Sequence, residues 1–305
     1  MAPATEGSAW LQGSAQAQVL DYHLSMLLDE ARMESFRRAI DATVRPGDVV
    51  LDIGAGTGVL SFMACQAGAS RVYAVEGGPV IEVARQLAQQ NGFDDRVVFI
   101  NDWSTNVDLP DLADVLVSET IGNAGLDEGI LAWTADARAR LLRSGAQILP
   151  RRLRLWTAGV ESFDDHCLVS DWSLPSIGLD LAAVRHRAER TLWHADIAPE
   201  QILTQPSLAA DIDLRTAFDQ EITASGQMRV ERVGQLHGLT CWFDSLLSEG
   251  VTVDNYPSRS DSSWAQTFLP IGEPLTVGPG DLLEWELAVS ADGERWTWRL
   301  DLAMD

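Results

Sequence analysis

The chain has 305 residues, long for one compact domain and suited to a ligand-binding half plus an accessory half. Its 22 Lys and Arg against 45 Asp and Glu leave a formal charge of −23, which argues against nucleic acid or an anionic membrane as partner. The charge fits cationic partners, and it fits a role in solubility alone equally well. Cys65, Cys167 and Cys241 lack CxxC spacing, and His23, His166, His186, His194 and His237 form no HxH or HExxH pair, so neither a disulfide framework nor a metal site is expected.

Residues 1–18 are rich in Ala, Ser, Gly and Gln, lack the charged and apolar regions of a leader, and are expected to be flexible. No later run of 18 apolar residues exists, so a cytoplasmic protein is expected. From residue 19, Leu20, Leu24, Leu27, Leu28 and Ala31 fall on one helical stripe, which predicts a helix docked on a core. His23, Met26 and Glu30 share a second face, which is either a solvated flank or the wall of a cleft.

Alternating segments follow. Strands are predicted at Asp48–Ile53, Arg71–Glu76, Arg96–Ile100 and Ala113–Ser118, and helices at Val59–Ala67, Val80–Gln90 and Leu126–Leu142. This alternation predicts an α/β fold with a parallel sheet, and the near-continuous apolar runs VVLDI, RVYAV, RVVFI and ADVLV predict strands buried on both faces. Gly92 reads as a helix stop. After Leu149-Pro150, short alternating runs such as RLRLWTAGV and LLEWELAV predict antiparallel sheet or barrel, interrupted by a mostly helical insert at about 173–203.

The first strand runs into Asp52, Ile53, Gly54, Ala55, Gly56, Thr57 and Gly58. Glycines there let backbone turn sharply and approach a ligand. A pyrophosphate loop wants GxGxxG, whereas the spacing here is GxGxG, and Asp52 suits a cation better than a phosphate. Glu76, 22 residues after Gly54 at the end of the second strand, is placed for ribose hydroxyls, a role that serves a nicotinamide cofactor equally. Together Asp52, the GAGTG loop and Glu76 resemble the class I methyltransferases, which implies S-adenosylmethionine as cofactor and adenosylhomocysteine as its product.

Glu119 leaves the fourth strand and Glu128 returns nine residues later, across a loop containing Gly122, Asn123 and Gly125. A lone pair of this kind is more often two solvated acids, but a carboxylate leaving a buried strand is costly without a cationic partner. This segment, with MLLDEAR, LDIGAGTGVLS and WAQTFLP, resembles the protein arginine methyltransferase family from about Val19 to the C-terminus. The resemblance implies a Rossmann-like domain over 19–150. It also implies an antiparallel β-barrel domain over 151–305 and a helical arm that makes a homodimer.

By that likeness Glu119 and Glu128 clamp a guanidinium, with Glu128 polarising it. Arg32 pairs with the methionine carboxylate, and His23, Met26, Asp52, Gly54, Ala55, Gly56, Thr57 and Glu76 line the cofactor site. Met26, Asn123 and Trp264 face the acceptor, while Met26 and Ile130 shape the room beside the methyl group. On one straight helix Arg32 lies roughly opposite Met26, so His23, Met26 and Arg32 share a site only if the helix breaks or the Arg32 side chain wraps around.

Several family features are missing. Ser263 stands where a histidine usually precedes the barrel-loop tryptophan, which removes the expected relay through Asp29. Thr120 and Asn123 replace an aromatic pair. Thr105 stands where an acid usually meets the adenine amino group, leaving Ser104 or Asp102 as substitutes. Because these losses concentrate at the acceptor, the expected acceptor is free arginine or a small guanidino metabolite, ahead of arginine in a protein or peptide. A catalytically weak scaffold, or an enzyme acting on another small molecule, is the further alternative. The arm residues Ile177, Leu179, Leu181 and Val184 are expected either to meet a second copy or to pack on their own barrel.

Overall fold

The structure, a computed structural model, describes residues 14–172, 178–218, 220–259 and 262–303. Two helices lead, α1 (Ser14–Leu28) and α2 (Glu30–Thr43). The alternating segment follows as β1 (Val49–Ile53), α3 (Val59–Ala67), β2 (Arg71–Val75), α4 (Ile81–Asn91), β3 (Val97–Ile100), β4 (Ala113–Ser118), α5 (Ile130–Arg140) and β5 (Leu142–Leu149). The five strands form one parallel sheet in the order β3-β2-β1-β4-β5. Val50, Leu51, Val72, Ala74, Leu116 and Val117 are fully buried, as strands covered on both faces require. The chain runs outward through β2 and β3, then returns to β4 beside β1. The crevice beyond the ends of β1 and β4 is therefore the topological switch point, where ligands bind in such sheets.

The largest departures from the predicted elements are at α5 and β5. α5 starts at Ile130 rather than Leu126, because Gly129 precedes it in the left-handed region (φ 75°). β5 was not anticipated: its middle residues Arg143, Ser144 and Gly145 are exposed at the sheet edge and carry no strand-like apolar pattern. Gly92 does stop α4, its N–H bonding back to the Ala88 carbonyl.

The parallel sheet ends at Leu149, and β6 (Arg152–Val160) opens the antiparallel half. It continues through α6 (Phe163–Ser170), α7 (Ala182–Ala188), β7 (Trp193–Ala195), β8 (Ser207–Asp213), β9 (Ile222–Arg229), β10 (Gly234–Ser248), β11 (Val251–Asp254), β12 (Gln266–Val277), β13 (Leu282–Val289) and β14 (Trp296–Leu302). One sheet runs β7-β12-β10-β6-β8 with β11 added on β10, and a second runs β14-β13-β9. The helical insert begins earlier than expected, at Phe163. It is not helical throughout, because β7 pairs with Gln266, Thr267 and Phe268 of β12. Ile177 lies outside the described residues, while Leu179 and Val184 are exposed.

α2 ties the halves together. It packs on α3 and also on β10 and β11, and its Phe36 and Ile40, one helical turn apart, are fully buried. Each such side chain contributes roughly 1.5–3 kcal/mol on burial. α1 corrects a prediction: Leu20, Leu24, Leu27 and Leu28 are 38–69 % exposed, and Ala31 is exposed as well. The stripe does not dock on a core. The other face, bearing His23 and Met26, turns inward to the crevice. No helix among the described residues is long and apolar enough to cross a membrane.

Candidate active site

A cleft of 370 Å³ opens at the strand ends of the parallel sheet, walled by α1, the glycine loop, Glu76 and the segment from Glu119 to Trp133. The glycine loop is strapped down at its start, where the N–H groups of Gly54 and Ala55 both donate to the Val75 carbonyl (3.0 and 3.1 Å). Gly54 and Gly56 take positive φ (73° and 53°). A Cβ on Gly54 would lie 2.7 Å from Thr120 Cγ2, and one on Gly56 would lie 2.9 Å from His23 Cε1. Backbone thus approaches the cleft where no side chain fits. Burial lowers the His23 pKa, with Glu76 opposing, which favours a neutral ring over the loop.

Glu76 holds the loop's far side: Oε2 accepts from Gly56 N–H (3.0 Å) and Oε1 from Gly78 N–H (2.6 Å). Each oxygen retains a lone pair for a ligand hydroxyl. Asp52 does not reach the cleft. It is buried beneath the loop, where Oδ2 accepts from Ser61 Oγ (2.6 Å) and Oδ1 has no partner. Burial pushes its carboxyl up to about 7 against the Ser61 hydrogen bond.

The break between α1 and α2 resolves the conflict among His23, Met26 and Arg32. Asp29 adopts a non-helical conformation (φ −74°, ψ 88°) and caps α2, its Oδ1 accepting from Arg32 N–H (2.9 Å). The bend brings Arg32 back beside Met26, with Nη2 donating to Met26 Sδ at 3.2 Å. The same nitrogen forms an ion pair with Glu119 Oε2, and Nη1 donates to Ser263 Oγ (2.9 Å). The guanidinium lies 3.8 Å over the Trp264 ring. Ser263 is anchored in turn, its N–H and Oγ both donating to Asp29 Oδ2 (2.8 and 3.0 Å). Where a histidine was expected, a hydroxyl therefore links Asp29 to Arg32.

Glu119 and Glu128 both line the cleft. Burial raises the Glu119 carboxyl, and the charge and hydrogen bond of Arg32 oppose this. Glu128 is reached by solvent from within the cleft but enclosed by protein on its remaining sides. Desolvation on that enclosed side, then the charges of Glu119 and Asp127, push it up to about 7. A hydrogen bond from Tyr22 Oη to Glu128 Oε1 (3.1 Å) works in the opposite sense. The intervening loop is folded by Asp127, whose oxygens accept from Asn123 N–H (3.1 Å) and Ala124 N–H (2.8 Å). Asn255 fastens the loop to the antiparallel half by donating to the Asn123 carbonyl (2.7 Å).

His23, Met26, Arg32, Gly54, Ala55, Gly56, Thr57, Glu76, Glu119 and Glu128 are thus gathered in one cleft. Asp52, Ser104, Thr105, Asn123 and Trp264 do not line it. Ser104 and Thr105 sit in a short 3₁₀ turn, with the Ser104 carbonyl taken by Arg140, and the Asn123 side chain points to His194 (3.3 Å). Trp264 supports Arg32 from beneath. The sequence reading missed Tyr22, Trp103 and Trp133. Tyr22 carried a usable signal, since it lies one turn before Met26 on the same helix face.

Residues 152–305 match the arginine methyltransferase oligomerization subdomain, and residues 37–146 match the ribosomal protein L11 methyltransferase (PrmA). A probable protein arginine N-methyltransferase 6 of Arabidopsis thaliana is 31% identical across 90% of this chain and 66% of its own length. An arginine N(omega)-methyltransferase of Streptomyces achromogenes subsp. streptozoticus is 30% identical across 90% of this chain and 78% of its own. The solved Trypanosoma brucei PRMT1 enzyme-prozyme heterotetrameric complex with AdoHcy superposes with a TM-score of 0.82 at 25% identity, covering 93% of each chain.

Proposed function

Because the chain belongs to the protein arginine methyltransferase family, we propose that it methylates a guanidino nitrogen of arginine presented by a protein or peptide. Its cofactor is S-adenosylmethionine, which supplies a methyl carbon made electrophilic by the sulfonium. The residues present fit that group. A backbone cradle that a Cβ would fill lies beside Glu76, whose oxygens suit ribose hydroxyls, and the buried Arg32 has an unpartnered Nε and suits a carboxylate.

The observation that carries the acceptor is the pair Glu119 and Glu128 on one cleft. A guanidinium is a poor nucleophile because its lone pairs are delocalised and its pKa exceeds about 12. Two carboxylates hold its plane by charge-assisted bonds and draw positive charge toward the nitrogens they bind. In the Arg32 pair, Glu119 already accepts a planar guanidinium. Glu128, poised near 7, is the group suited to take the proton released on methylation. Holding acceptor and donor in line contributes roughly 7–11 kcal/mol to lowering the barrier.

Residues 19–150 serve as the cofactor half and 151–305 as the accessory half. The exposed Phe163, Leu168, Leu179 and Val184 of the insert support a homodimer built through it. Most of the named relatives are protein arginine methyltransferases, so the preference for a free guanidine expected from the sequence is not supported. Free arginine remains the second reading, favoured by the Streptomyces relative named for arginine itself.

Incubation with methyl-labelled cofactor and, separately, an Arg/Gly-rich peptide, free arginine and a lysine peptide tests these readings. Label in the arginine peptide supports the first and label only in free arginine supports the second. Label in neither arginine acceptor overturns both.

A further inference from the structure

The cleft has an aromatic end that the acceptor chemistry does not use. Crossing the sheet, it passes Glu119 after β4, the glycine loop after β1, Glu76 after β2 and finally Trp103 after β3. Trp103 is 61 % exposed, high for so large an apolar ring. Gly77 lies against it: a Cβ there would stand 3.5, 3.5 and 3.6 Å from Cδ2, Cε2 and Cε3, an approach to the fused part of the ring system. Trp133 of α5 lies nearly parallel, at 22° with ring centroids 6.0 Å apart. That is toward the wide end of the roughly 4.5–7 Å range for aromatic pairs.

The two rings are held differently. Trp133 is tethered, its Nε1 donating to the Glu128 carbonyl (2.8 Å). Trp103 is fixed at its backbone, where its N–H donates to Asp102 Oδ1 (2.8 Å), while its indole projects from the turn into the cleft. The neighbouring polar residues Ser104 and Thr105 do not line the cleft, so no acid or hydroxyl from that turn meets a ligand's polar edge. The two indoles, stacked on each other, are the side chains that line this end of the cleft beside Glu76.

We propose that Trp103 and Trp133 form the adenine platform of the cofactor site, Trp103 stacking on the purine and Trp133 acting as the fixed wall. This rests on the assignment of the cleft to S-adenosylmethionine. Adenine is flat and neutral, and stacking reads its face without a hydrogen-bonding partner at its amino group. The tether from Trp133 to Glu128 also joins the base end of the site to the acceptor end.

Calorimetric titration of adenosylhomocysteine and of adenosine into wild type, Trp103→Ala and Trp103→Phe tests the platform. Trp103 is exposed, so its replacement leaves the fold intact, which thermal denaturation verifies. Trp103→Ala should weaken both ligands about 5- to 150-fold, the range for loss of one base–aromatic stack. Trp103→Phe should stay within about threefold of wild type, since a flat ring remains. The tryptophan fluorescence change on adding adenosylhomocysteine should shrink in both variants. Trp103→Ala binding both ligands as wild type does, with an unchanged fluorescence response, would overturn the platform alone. Failure of wild type to bind adenosylhomocysteine would overturn the cofactor assignment itself.

Discussion

Arg32 at the start of α2 and Glu119 just after β4 form an ion pair, with the guanidinium laid on Trp264. Side chains only 4% and 12% exposed keep both charges largely out of water. Removing one partner strands the other, which typically costs about 3–5 kcal/mol, whereas removing both charges costs less. Thermal denaturation should therefore show Arg32→Met as strongly destabilised and Arg32→Met/Glu119→Gln as partly restored. Additive losses in the double variant would mean that the two side chains are not coupled.

Ser263 holds this pair in place by contacting both Asp29 and Arg32. Ser263→Ala removes two side-chain hydrogen bonds but keeps the backbone bond to Asp29, so the stability loss should be about 1–2 kcal/mol. The apparent affinity for adenosylhomocysteine should fall with it, because Arg32 loses one of its supports. Unchanged affinity and melting temperature would show that the hydroxyl is dispensable.

Glu128 gives the reaction a pH dependence. Its carboxyl is raised to about 7, so the carboxylate needed to hold a guanidinium accumulates as pH rises through neutrality. The pH profile of kcat/KM reports groups of the free enzyme, so it should climb from pH 6 to pH 8 with a midpoint at about 7. The Tyr22 hydroxyl lowers this pKa, so Tyr22→Phe should move the midpoint upward. A profile flat across this range in wild type would remove Glu128 from that role.

Asp52 affects stability in the opposite direction from a salt-bridged carboxylate. Its folded-state pKa, about 7, lies above the unfolded value, so the folded chain holds an extra proton between them and stability falls as pH rises through that window. Asp52→Asn cannot ionise and should melt about 2–4 °C or more above wild type at pH 8. At pH 5 the difference should be smaller. Equal differences at both values would indicate that Asp52 is not protonated in the folded chain.

The central strands and the glycine loop were legible because burial on two faces and a tight turn each demand particular residues. The gathering of Glu76, Glu119 and Glu128 followed from strand ends sharing one crevice. The orientation of α1 was not legible: periodicity gives a helix two faces but does not say which one meets protein. The break at Asp29 was legible only as one of two ways to bring His23, Met26 and Arg32 together, because one apolar stripe runs unbroken across residues 20–31. β5 escaped because an exposed edge strand needs no apolar alternation. Trp103 and Trp133, 30 positions apart, become neighbours only when α5 folds back over the turn after β3.

The claim that two carboxylates hold the acceptor is tested most directly by measuring methyl transfer to an arginine peptide in Glu128→Gln, with adenosylhomocysteine affinity measured alongside. Transfer should fall by at least about 100-fold, as loss of a general base or a charge-assisted clamp requires, while ligand affinity stays within about threefold. A Glu128→Gln enzyme that methylates the peptide at the wild-type rate would show that Glu128 does not hold the acceptor.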